Sequence, residues 1–150
     1  MKNIFLVFIF SFVFSGNAFA EKINLSCNEK ITNTVLSFTI NTDNKTVTTQ
    51  GSNYDPYLYS NGVFTFMMKT KQMDYLYRLN RNTGVLGVKA WKKNEEEFKE
   101  LLAVLFVKMT ADGKTKNDTD YILNFVVNNY DQKEDYTALT FVCEKAEPKF

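Results

Sequence analysis

Residues 63–80 read VFTFMMKTKQMDYLYRLN. Phe64, Phe66 and Met68 alternate with their neighbours and share one face of an extended chain. After a short polar break at residues 69–72, Met73, Tyr75, Tyr77 and Leu79 repeat the pattern. A period of two is the mark of a strand with one buried face, and two such strands across a tight polar turn make a hairpin. A second hairpin follows directly. Asn80, Asn82 and Gly84 place residues that tolerate positive φ where a bulged turn needs them, and residues 85–91 resume as a strand ending in Trp91.

Outward from this core the same signals recur. Towards the N-terminus, Leu36, Phe38 and Ile40 alternate with Ser37 and Thr39, residues 41–44 form a turn, and residues 45–50 (KTVTTQ) continue as a more polar strand. Residues 51–61 read as a loop carrying Tyr54, Pro56, Tyr57 and Tyr59. Towards the C-terminus, residues 121–127 and 136–143 read as two final strands around a polar turn at residues 128–135. Residues 94–109 differ. Asn94 followed by Glu95, Glu96 and Glu97 predicts a capped helix start, and Phe98, Leu101, Leu102, Leu105 and Met109 fall on one helical stripe that would lie on the sheet. Val104, Phe106 and Val107 cover the other faces, so a buried strand over residues 101–109 is the alternative. The expectation is an all-β chain, one small antiparallel barrel or sandwich, with a helix near residues 94–109.

Composition bounds the function. The 150 residues are 45% hydrophobic and 23% charged, which is the make-up of one globular domain. Eighteen basic against 17 acidic side chains give a net charge of +1, without the basic excess of a nucleic-acid surface. The chain has no histidine, so the commonest general base and metal ligand is missing.

The N-terminus reads as a secretory signal. Lys2 precedes an eleven-residue apolar run at residues 4–14, and Ala18-Phe19-Ala20 then offers a small-x-small cleavage site. The run is too short for a membrane span. The expected product is an exported domain of residues 21–150, periplasmic or secreted, with no membrane span. Cys27 and Cys143 are the two cysteines, each in an alternating strand-like run. In an oxidising compartment an even count favours a disulfide, which would join the first strand to the last.

No catalytic constellation stands out, and neither enzyme activity nor a cofactor is expected. Asp43, Asp112, Asp131 and Asp135 sit in turns as ordinary solvated acids. Asp112, Asn117, Asp118 and Asp120 are oxygen donors of the kind a hard cation takes, but they lack the EF-hand spacing, and no metal site is expected. The tyrosines of residues 53–59 are either anchors for a partner or packing across the mouth of a barrel.

Tyr59-Ser60-Asn61-Gly62-Val63-Phe64-Thr65-Phe66-Met67-Met68-Lys69 resembles a segment of the periplasmic inhibitors of C-type lysozyme. It departs from that family at Met67, Met68 and Thr70, where the family has Trp, Ser and Gly. The resemblance implies an eight-stranded barrel and a protein partner such as a lysozyme. By the same resemblance Ser60 and Lys69 would address the enzyme's catalytic carboxylates; Tyr57 and Tyr59 are partner-binding candidates from the tyrosine-rich segment itself. By strand parity Lys69 joins Val63 and Thr65 and faces out. Two other readings stand beside this one. A lipocalin-like carrier would enclose a small apolar ligand in a cavity lined by Phe64, Phe66, Tyr75, Tyr77 and Phe125. An envelope-associated structural protein would need no site.

Overall fold

The structure is a computed structural model that describes residues 22–49 and 55–145; the expected signal segment at residues 1–20 and Tyr54 lie outside the described residues. Eight strands run in chain order: β1 (Lys22–Glu29), β2 (Val35–Asn41), β3 (Thr46–Thr49), β4 (Asp55–Ser60), β5 (Val63–Lys69), β6 (Met73–Asn80), β7 (Val85–Lys92) and β8 (Thr137–Lys145). Each pairs antiparallel with its neighbour in sequence, and β8 pairs with β1, which closes the sheet into a barrel rather than a sandwich. Two helices, α1 (Glu95–Ala111) and α2 (Thr119–Asp131), are inserted between β7 and β8.

Alternation decides what lies inside. Phe38, Ile40, Phe64, Phe66, Tyr77, Leu79, Leu86, Val88 and Phe141 point inward as one buried cluster. Aromatic rings fill the middle: Phe66 stacks on Tyr77 at 5.0 Å, and Phe38 meets both edge-on at 5.7 and 5.6 Å. An eight-stranded barrel is just wide enough for side chains to fill, and here they do. Cys27 and Cys143 face each other across the closing seam and are disulfide-bonded, with Cα atoms 3.8 Å apart.

A second core lies outside the barrel. Met67, Leu76 and Trp91 sit on outward positions of β5, β6 and β7, where a free-standing barrel would show polar side chains. Leu123, Val126, Val127 and Tyr130 of α2 cover them. Burying each large apolar side chain is worth about 1.5–3 kcal/mol, enough to hold the helix on the sheet. Arg78 of β6 clamps the far end of α2 with two hydrogen bonds to Asp131, at 3.0 and 2.6 Å, and Lys89 of β7 adds a third at 3.1 Å.

The structure departs from four sequence expectations. Residues 121–127 are not a strand; they belong to α2, because Leu123, Val126, Val127 and Tyr130 recur at helical spacing and the outer barrel face needs a cover. Phe125 therefore lies on that helix and not in the barrel interior. The helix near residues 94–109 forms, with Asn94 accepting hydrogen bonds from the backbone N–H groups of Glu96 and Glu97. Its packing differs from expectation, since α1 rests on α2, with Leu105 and Met109 buried and Leu102 exposed. Residues 55–60 are strand β4 and not loop, because Asn61 and Gly62 both adopt positive φ (51° and 78°) and turn β4 directly into β5.

Candidate functional site

The barrel has two ends, and the strand register divides the candidate residues between them. One end carries the β2–β3, β4–β5 and β6–β7 turns together with the start of β1 and the finish of β8. The opposite end carries the β1–β2 and β5–β6 turns.

Tyr59 and Ser60 stand at the first end, on the Asn61-Gly62 hairpin. Positive φ at two consecutive residues gives a turn whose twist matches the strands it joins, so this tip is rigid. Tyr59 is 51% exposed and its ring rests on Phe64 at 4.6 Å, which fixes the phenol in place from one side and offers the other to solvent. The β6–β7 turn braces the hairpin, since the Arg81 N–H donates to the Gly62 carbonyl at 2.8 Å. Gly84 in that turn has φ +69°, and a Cβ there would stand 2.8 Å from the Cys143 carbonyl oxygen, so glycine is required twice over. Between these turns the barrel mouth opens as an apolar depression of about 220 Å³, lined by Ile23, Leu25, Ile40, Phe64 and Leu79, with Arg81 and Lys145 at its edge.

Tyr57 is not available to a partner. It points into the barrel, 5% exposed, edge-on to Phe64 at 5.1 Å, and burial pushes its phenol above the ordinary tyrosine range.

Lys69 stands at the opposite end. Ser60 pairs with Val63 in the β4–β5 register, and Lys69 follows Val63 by six residues of strand, a separation of about 20 Å at ~3.3 Å per residue. Ser60 and Lys69 therefore do not form one compact pair. Lys69 does face outward, as its parity requires, and its ammonium lies over the Phe98 ring of α1, 3.4 Å from the centroid. Burial there pushes its pKa down, and the nearby Asp74 and Asp55 carboxylates oppose that shift.

Lys69 pairs across the β5–β6 hairpin with Asp74, a residue that the sequence reading passed over. Asp74 is 2% exposed beneath α2, and its Oδ2 accepts from the Tyr130 hydroxyl at 2.5 Å. Its Oδ1, and Nε1 of its cross-strand neighbour Trp91, have no hydrogen-bond partner among the described residues. The sequence signal was the parity of Asp74 with Leu76, which puts a carboxylate on the face that the helix covers.

The acids weighed as cation ligands have separate tasks. Asp112 accepts from the Tyr121 hydroxyl, Asp118 from the Thr115 N–H and hydroxyl, and Asp120 pairs with Lys45 at 3.4 Å. No group of three or more Cys, Asp or Glu side chains placed to hold a metal ion is found among the described residues. None of the described helices is long and apolar enough to cross a membrane.

No protein-family model, curated protein or solved structure matches this chain. The arrangement of the site itself is therefore what a functional reading rests on.

Proposed function

We propose that this chain is an exported, non-catalytic binding protein that meets a protein partner through the barrel end bearing Tyr59 and Ser60. The observation that carries this reading is the Tyr59 ring, half exposed on a rigid two-residue hairpin and backed by Phe64. A fixed aromatic side chain gives a large contact area at little entropic cost, which is what a binding anchor needs. The rings packed through the barrel middle favour a surface binder over a carrier with a deep cavity.

A C-type lysozyme is the sharpest partner to try. In that case the contact is the hairpin end, with Lys69 outside it. The test is the lysis of cell-wall suspensions by lysozyme with the mature protein added. Tyr59→Ala is expected to weaken inhibition about thirtyfold, the loss of roughly 2 kcal/mol typical of an aromatic anchor, while Lys69→Ala leaves it unchanged. Undiminished lysis at micromolar protein removes lysozyme as the partner. The reverse mutant pattern moves the contact to the Lys69 end.

One observation favours a second reading. The apolar depression at the same mouth is a place for a short aliphatic group, as in a carrier. Titration with a fluorescent fatty-acid analogue tests it, and saturable uptake that Tyr59→Ala does not alter supports that reading over the first.

A further inference from the structure

Helix α1 is apolar all round between Leu101 and Val107 (LLAVLFV), yet only one side of it is covered. Leu105 and Met109 are buried against the body of the protein, whereas Phe106 is 72% and Val107 68% exposed. A helix with no polar face in its middle belongs in contact on both sides. At 3.6 residues per turn, Lys99, Leu102, Ala103, Phe106 and Val107 fall within an arc of about 140°, and all five are exposed. Scattered exposed apolar side chains are normal, but a contiguous stripe of this kind marks an interaction surface.

We propose that this stripe is the interface with a second copy of the chain, in which two α1 helices pack antiparallel about a two-fold axis. Charge decides the occupant. The first turn of α1 is acidic: Glu95 and Glu97 pair with Lys93 and Lys133 of the same chain and Glu96 is exposed, while Lys108 lies in the last turn and Lys114 and Lys116 follow it. An antiparallel pair sets each acidic end against the basic end of the other copy and opposes the two helix dipoles. Centred between Val104 and Leu105, it brings Glu96 towards Lys114 of the second copy. Ala103 near the axis lets the helices approach closely. An anionic lipid surface is the poorer match, because α1 itself carries Glu95, Glu96, Glu97 and Glu100 against Lys99 and Lys108.

The experiment is sedimentation equilibrium of the mature protein across a concentration series, read as molar mass. The expected mass is that of two chains. Phe106→Glu, at an exposed position, is expected to return the mass to one chain with an unchanged circular-dichroism spectrum, and to melt at a temperature that no longer depends on protein concentration. Glu96→Lys is expected to raise the midpoint concentration about tenfold or more, and adding Lys114→Glu to restore it. A single-chain mass at every concentration overturns the proposal. So does a dimer that Phe106→Glu leaves intact. Co-sedimentation of a single-chain protein with phosphatidylcholine–phosphatidylglycerol vesicles, lost in Phe106→Glu, overturns it in favour of a lipid surface.

Discussion

Asp74 is a costly side chain to place, at 2% exposure. A carboxylate taken from water into a helix–sheet interface loses hydration that hydrogen bonds must replace, and Tyr130 replaces part of it with a 2.5 Å bond to Oδ2. The same contact acts on the tyrosine: burial first, and the Asp74 carboxylate next, push the Tyr130 phenol well above its ordinary range. Tyr130 also packs edge-on against Trp91 at 5.3 Å, so its ring and its hydroxyl serve different neighbours. Tyr130→Phe keeps the ring and removes the donor. It is expected to destabilise the fold by about 1–3 kcal/mol, the cost of leaving a buried acceptor unsatisfied, measured by urea unfolding. In the background of Asp74→Leu the same substitution is expected to cost much less, because the acceptor is gone. Equal costs in both backgrounds would show that the hydroxyl contributes nothing through Asp74.

At the scale of elements, α2 is held at one end by charge. Hydrogen bonds from Arg78, and then Lys89, hold the Asp131 carboxyl below the usual carboxylate range. Thr32 does the same for Glu29, Lys133 for Glu97 and Thr115 for Asp118. A carboxylate whose pKa is lower folded than unfolded adds stability above its unfolded pKa, near ~4, and loses it as pH falls through the folded value. Asp55, raised by burial, works in the opposite sense, but it is one group against four. The melting temperature is therefore expected to be flat from about pH 7 to pH 5 and to fall below about pH 4. Asp131→Asn is expected to lower stability at neutral pH by about 1 kcal/mol, a modest figure because the site is partly open to solvent, and to flatten the acid limb. An acid limb equally steep in that variant would place the pH dependence elsewhere. The elements also show what was legible. The hairpin of β5 and β6 was plain, because Phe64, Phe66, Tyr75 and Tyr77 alternate without ambiguity. Helix α2 was not, since residues 121–127 carry apolar side chains on every face and satisfy either period; the deciding repeat runs on to Tyr130. For the site, the outward parity of Lys69 was readable, and so was its distance from Ser60 once the strand between them was counted. The burial of Tyr57 follows from β4 being a strand, for which the hairpin dipeptide Asn61-Gly62 is the sequence signal, against the loop-like run of Tyr and Pro before it.

At the scale of the whole molecule, the barrel is a ribbon that must be closed, and the closing seam is β1 against β8. These strands are the two most distant in sequence, so their pairing carries the largest loop-closure cost of any in the sheet. The helical insertion between β7 and β8 lengthens that loop without helping to close it, because α2 lies over β4 to β7, away from the seam, and α1 rests on α2. The Cys27–Cys143 bond sits on the seam and spans 116 residues. On the chain-entropy estimate a cross-link of that span is worth about 5 kcal/mol. Total stabilities of single domains are about 5–15 kcal/mol, so the bond supplies a large share of what holds this one together. Cys27 is fully buried, which shields it from small reductants while the protein is folded. Cys27→Ala with Cys143→Ala is expected to lower the melting temperature by about 15–20 °C at this chain length, with β-sheet signal retained at low temperature. In the unmodified protein, dithiothreitol is expected to act slowly in buffer and rapidly in denaturant, because reduction must await opening of the seam. A double variant that melts within a few degrees of the parent would mean that β1–β8 pairing closes the barrel unaided. Rapid reduction of the folded protein would mean that the seam opens far more readily than its buried sulfur implies.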